Sequence, residues 1–216
     1  MLLRHLKLEK SLNKPVLILG GGGHASVLIE TLRLIGVEIA GIADPKLEKG
    51  TLVHGDIPVI GSDESVRQYA PIELLLVNGL GPTPKARNRE TLSKRFIALG
   101  YEFLSVIHPS AYVSPSARIE AGAQIMAGAV VQTGCRIGIC SVVNTGGIVD
   151  HDCNVGDYSH IAPGAVMCGG VETGCGVFVG TGAVVIENLS LGDNSLLAAG
   201  VTLRKNLKTE EVFYGK

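Results

Sequence analysis

The chain has 216 residues, enough for one large domain or two small ones, and its formal net charge is −1. That balance offers no basic field to hold nucleic acid or an anionic membrane surface. Aromatics make up only 4%, Trp is absent and there are 29 Gly, which points to thin repetitive structure rather than a ring-filled core.

Residues 1–13 alternate charged and apolar positions without the long apolar stretch of a signal peptide, and read as an extension ahead of the first domain. No apolar run approaches the roughly 18 residues of a membrane span. A cytoplasmic protein is expected. The five Cys form no CxxC pair, and their odd number makes a poor disulfide framework.

A first domain is expected over residues 14–107. Pro15–Leu19 is a short apolar strand, Gly20-Gly21-Gly22-Gly23 a turn, and Ala25–Ile35 a helix with apolar residues at Val27, Leu28, Leu32 and Ile35. Further strands are predicted at Val37–Ala43, stopped by Asp44-Pro45, at Ile57–Ile60 and at Ile72–Val77. A charged amphipathic helix follows over Pro84–Leu99, with Gly100 as its stop. Strands alternating with helices imply a small parallel sheet of Rossmann-like α/β type, with four or five strands.

After His108-Pro109 the period changes, and residues 108–216 form the second expected domain. Steps of six from Val113 meet Ile119, Ile125, Val131, Ile137, Val143 and so on to Leu203, all apolar except Thr173. The position four residues later is usually small, as at Ala117, Ala123, Ala129, Cys135 and Cys153. This is a hexapeptide repeat, in which each unit is one short strand and a turn and three units close a triangular coil of about 18 residues, giving roughly five coils. Cys135 and Cys153 then stack one coil apart, as corner packing.

The hexapeptide series resembles the left-handed β-helix acyltransferases. Four motifs occur together: GGGGHASV after the first strand, IADP after the second, IHPSAYVSPSA at the junction and NTGGIVDHDCNVGDYSHIAPGAV in the repeat. Together they resemble the bacterial N-acetyltransferases that modify UDP-4-amino-4,6-dideoxy sugars or the GDP-linked equivalent, a family whose architecture sialic-acid O-acetyltransferases share. The resemblance implies a homotrimer with acetyl-CoA between adjacent β-helices, a nucleotide sugar on the N-terminal domain, and no metal.

Amide formation from a thioester needs a neutral amine, a base for its proton and donors for the thioester oxygen. The repeat contains two histidines, His151 and His160. By resemblance His151 is the general base, oriented by Asp152. Consecutive strand residues point to opposite faces, so Asp152 can reach His151 only if the chain turns there or across a subunit interface. By resemblance Asn144 contacts the sugar, His160 contacts acetyl-CoA, the Gly169 N–H faces the thioester carbonyl, and Thr181 and Ala199 line the pantetheine groove.

In the first domain, backbone N–H groups at the start of a helix attract phosphate. Gly20, Gly22 and Ala25 satisfy a GxGxxG/A pattern with Asp44 about 20 residues on, which leaves a dinucleotide site as the physical alternative. By resemblance Gly22, Gly23 and His24 hold the nucleotide sugar instead and Asp44 the base, with Asn78 and Gly79 at the end of the fourth strand, where ligands of open sheets bind. A zinc hydro-lyase on this scaffold would need three imidazoles, which the repeat lacks. O-acetyl transfer to sialic acid or serine, or a non-catalytic binding module, remain alternatives on the same fold.

Overall fold

The computed structural model describes residues 14–84 and 87–215; the expected extension 1–13 lies outside them. The chain divides into two compact units. One holds the described residues up to Gly81 together with Thr91–Leu104, and the other holds Pro82–Glu90 and Ser105 onward.

The first unit is a five-stranded sheet. Its strands are β1 (Val16–Leu19), β2 (Ile39–Ala43), β3 (Leu52–Val53), β4 (Ile57–Gly61) and β5 (Leu75–Asn78), in the order β3-β4-β2-β1-β5. Pairings β4–β2, β2–β1 and β1–β5 are parallel. Central β1 is fully buried, as an apolar run covered on both faces must be. Helix α1 (Gly23–Leu34) follows β1 and buries Ala25, Leu28, Ile29, Thr31 and Leu32. Helix α2 (Asn88–Ala98) contributes its residues from Thr91 onward to this unit.

Several boundaries differ from the sequence expectation. The sheet is mixed rather than parallel, because β3 forms an antiparallel hairpin with β4 across a turn where His54 and Gly55 have positive φ. β2 begins at Ile39, since the Val37 N–H is still bonded to Leu32 O in the turn that ends α1. β5 begins at Leu75 rather than Ile72, which is exposed in a turn where Glu73 accepts the Ala70 N–H. α2 begins at Asn88 rather than Pro84. A short 3-10 helix, Asp63–Gln68, was not anticipated.

The second unit is a parallel β-solenoid. Two-residue strands stack into sheets of seven, six and five strands, and partners differ by 18 residues, as in Val142 against Gln124 and His160, except at the last pair, Leu196 against Val212. The hexad series points inward: Ile125, Val131, Ile137, Val143, Val149, Val155 and Ile161 are all inaccessible to solvent. Thr173, the one polar member, is buried and accepts the Gly156 N–H at its Oγ1 at 2.9 Å, so its hydroxyl is satisfied in the core. Cys135 and Cys153 are buried at the corners, their thiols donating to Asp150 O and Cys168 O of the next coil.

Most corners carry one residue with left-handed φ. Glycine fills it at most of them; Asp152, Asn188 and Asn194 fill it with side chains that tolerate that conformation, and Cys140 and Tyr158 adopt it as well. The outward positions differ between faces. One face carries Arg118, Arg136 and Glu172, with Arg136 bridging Glu120 and Asp157. Another carries the apolar row Tyr112, Val130, Ile148, Val166 and Val184, in which Tyr112 and Ile148 are exposed.

Candidate active site

In the first unit the glycine loop joins the end of β1 to the start of α1. Gly22 caps the helix in an extended conformation, and a side chain at Gly22 or Gly23 would meet open space. The first N–H groups of α1 therefore open outward, where an anion can approach. Gly20 and Gly79 have the opposite reason to be glycine. A Cβ at Gly79 would lie 2.6 Å from Gly20 O, and one at Gly20 would lie 2.7 Å from Leu80 Cδ2, so these two ends of β1 and β5 pack backbone to backbone. His24, in the first turn of α1, is half-buried.

Two of the expected nucleotide contacts also have structural duties. Asp44 accepts the Gly21 N–H at one carboxylate oxygen and the Lys46 N–H at the other, both at 2.8 Å, which ties the glycine loop to the end of β2. Asn78 is buried, donating to Ser93 Oγ of α2 at 2.9 Å and accepting the Leu80 N–H at 3.0 Å. Its side chain fixes the turn after β5. Ser93 and these bonds escaped the sequence reading because strand-end Asn is read most readily as a turn or a ligand contact.

In the solenoid, His151 and Asp152 meet within one chain. Asp152 has φ 59, so the chain turns at the corner and the alternation of a strand does not apply. His151 Nδ1 lies 2.9 Å from Asp152 Oδ2, while the His151 N–H is held by Asp150 Oδ1. The carboxylate accepts the Nδ1 proton and so assigns the neutral tautomer that leaves Nε2 with a lone pair. That hydrogen bond, with the charges of Asp150 and Asp152, holds the His151 pKa above the ordinary histidine value. The pair is solvent-exposed on the single chain, with 58% of the His151 side chain and 70% of the Asp152 side chain accessible.

Gly169 lies one coil on, buried beneath the ring. A Cβ there would stand 2.5 Å from both His151 Cε1 and Nε2. The basic edge of the imidazole thus rests over a glycine backbone. Among the described residues the Gly169 N–H donates to no backbone acceptor. A base and an unengaged N–H donor are adjacent on one corner.

His160 stands on a different face. It is buried, its Nε2 is 3.1 Å from Asn144 Nδ2, and its ring meets Phe178 edge-on at 4.9 Å. Asn144 Oδ1 accepts the Thr145 N–H, so its amide nitrogen faces His160 and the hydrogen-bond network assigns the acceptor role to Nε2. The two residues expected to contact different substrates therefore form one unit, with Phe178 as a third member that sequence reasoning missed. Folding the sequence at 18 residues brings 142 beside 160 and 178, which is the signal that would have found it. Thr181 and Ala199 are exposed and stack one coil apart on the corner that also holds Asn144, whereas His151 and Gly169 occupy the next corner, beyond the Ile148–Val149 strand. A cavity of about 350 Å³ opens beside His160, lined by Arg89, Cys140, Tyr158 and Phe178.

The Asp152 bond has a testable consequence. If His151 is a base that works neutral, its raised pKa places the acid limb of kcat/KM above the ordinary histidine value. Asp152→Asn removes the charge that stabilises the imidazolium, so the acid limb should move to lower pH while kcat falls. A pH–rate profile of the two proteins reads both; an acid limb that stays in place would contradict the pairing.

Comparison with known proteins follows the same division. The PglD N-terminal domain family matches residues 15–96. PerB from Caulobacter crescentus, solved in complex with CoA and GDP-perosamine, is 35% identical with a TM-score of 0.83, covering 93% of each chain. A histidine-to-alanine variant of GDP-perosamine N-acetyl transferase from Caulobacter crescentus, also with CoA and GDP-perosamine, is 34% identical with a TM-score of 0.84 over 93% of each chain. The acetyltransferase domain of PglB from Neisseria gonorrhoeae FA1090, in complex with acetyl coenzyme A, is 31% identical with a TM-score of 0.82, covering 91% of this chain and 93% of its own. No curated protein matches the chain.

Proposed function

Because the chain belongs to the bacterial acetyltransferase family that includes perosamine N-acetyltransferase and the PglB acetyltransferase domain, we propose that it transfers the acetyl group of acetyl-CoA to the amino group of a nucleotide-linked amino sugar. The observation that carries this reading is the His151 corner: Nδ1 is committed to Asp152, and the Nε2 edge lies over Gly169. His151 Nε2 takes the amine proton as nitrogen bonds to the thioester carbonyl carbon. The Gly169 N–H steadies the oxygen as it gains charge. The C–S bond then breaks, CoA leaves as thiolate, and the proton held at Nε2 is available to it. No acyl-enzyme is required.

On this reading Gly22, Gly23 and His24 at the open start of α1 hold the nucleotide sugar, with Asp44, Asn78 and Gly79 shaping that mouth. His160, Thr181 and Ala199 hold acetyl-CoA, and Asn144 holds both the sugar and the His160 ring. Asn144, His160, Thr181 and Ala199 lie off the His151 corner on one chain, and the His151–Asp152 pair is exposed. Both observations support a homotrimer in which one copy's base faces another copy's cofactor groove, closed by the outward apolar row of Tyr112 and Ile148. The motifs favour a UDP-linked 4-amino-4,6-dideoxy sugar. The GDP-perosamine bound in two solved structures of the Caulobacter crescentus enzyme favours the GDP-linked equivalent as second reading.

Thiol release from acetyl-CoA against UDP- and GDP-linked 4-amino-dideoxy sugars, free sialic acid and serine tests the proposal. Rapid release with one nucleotide amino sugar is expected and names the base. Release with sialic acid or serine alone would move the function to O-acetylation, and none with any acceptor would overturn acetyl transfer.

A further inference from the structure

The His151–Asp152 pair rests on the turn one coil before it. Asp152 uses Oδ2 to accept from His151, while its Oδ1 lies against the Cα of Gly134, close enough that a Cβ there would overlap the carboxylate. Gly134 itself has φ 72, and its N–H is held by Ser116 Oγ at 3.2 Å. The same stacking recurs where no base is present: Asn188 lies over Gly170, and Asn194 over Gly176. The device is thus a general feature of these corners, in which a left-handed Asn or Asp settles onto a bare glycine one coil below. At residue 152 alone that resident is an aspartate with a histidine beside it.

We propose that Gly134 is a positioning residue for the His151 base: its missing side chain leaves the seat from which the Asp152 carboxylate reaches Nδ1. This deepens the reading of His151 as the base and rests on it, although the geometry can be tested without turnover. Any side chain at 134 lifts the carboxylate from its seat and lengthens the bond to His151. The titratable groups on the three stacked turns are Cys135 on the turn of Gly134, Asp150, Asp152 and Cys153 on that of His151, and Cys168 beyond, with Glu187 one turn further. Of these, Asp152 is the group that a side chain built at 134 meets.

The test is an NMR titration of the His151 imidazole in the full-length protein, comparing wild type with Gly134→Ala, Gly134→Asn and Gly176→Ala. Asn tolerates the left-handed conformation, so Gly134→Asn adds the side chain with less backbone strain than Ala does. Gly176 has φ 65 and Asn194 Oδ1 at 2.6 Å from a built Cβ, so Gly176→Ala reproduces the strain and the overlap away from His151. Both Gly134 variants should titrate at lower pH than wild type, and Gly176→Ala should titrate with wild type. Gly134 variants that titrate as wild type, or a Gly176 variant that shifts equally, would overturn the proposal. Should His151→Ala retain full turnover, the base assignment fails while the titration still decides whether Gly134 seats Asp152.

Discussion

His151→Ala should lower turnover by roughly 10²–10⁴-fold, the range a positioned general base supplies, and should leave the solenoid folded. The side chain is more than half exposed and, among the described residues, its ring is hydrogen-bonded to Asp152 alone. The coil's own bonds run through the backbone: the His151 N–H goes to Asp150 Oδ1, and the Gly170 N–H goes to His151 O. Removing the imidazole therefore deletes the proposed proton acceptor without opening the corner. Steady-state kinetics beside circular dichroism and sedimentation checks this. Near-normal turnover in a folded variant with unchanged assembly would remove His151 from the mechanism.

Ile137→Ala should destabilise the solenoid by about 2–5 kcal/mol, the cost of emptying a well-packed aliphatic site. Ile137 is inaccessible to solvent and sits in register between Ile119 and Val155. A solenoid coil contacts only its neighbours, so no distant element can collapse into the space. Arg136, the residue before it, points outward to Glu120 and Asp157. Arg136→Ala should cost about 1 kcal/mol or less, because partly exposed ion pairs are weak. Chemical denaturation of both variants measures the contrast between adjacent residues, and equal losses would contradict the inward–outward alternation.

The solenoid was legible because its rule is periodic. A branched residue every six positions cannot be mistaken over so many repeats, and even Thr173 behaves as a core residue by accepting the Gly156 N–H. The first domain was less legible at its edges. The β3–β4 hairpin depends on positive φ at His54, and a histidine does not announce a turn. The ends of β2 and β5 were set by the Val37 and Ala70 capping bonds rather than by the apolar runs themselves.

The site divides in the same way. The His151–Asp152 bond could be foreseen as a possibility but not as a geometry, since it required a left-handed residue at 152, which the turn rhythm of the repeat places there. The Asp44 bond to the Gly21 N–H, the Asn78–Ser93 bond and the Asn144–His160–Phe178 group depend on side chains reaching across 15 to 23 positions. No local pattern encodes those distances. In the solenoid, counting by 18 recovers them; in the first domain only the packed sheet does.

The most direct measurement is a quenched reaction of the protein with acetyl-CoA labelled in its acetyl group, run first alone and then with the nucleotide 4-amino sugar that releases thiol fastest. Direct attack by the amine predicts no label on the protein in the first mixture, and in the second a labelled sugar whose acetyl group resists hydroxylamine, as an amide does. Label on the protein before acceptor is added, or a hydroxylamine-labile ester on the sugar, would contradict direct N-acetyl transfer assisted by His151.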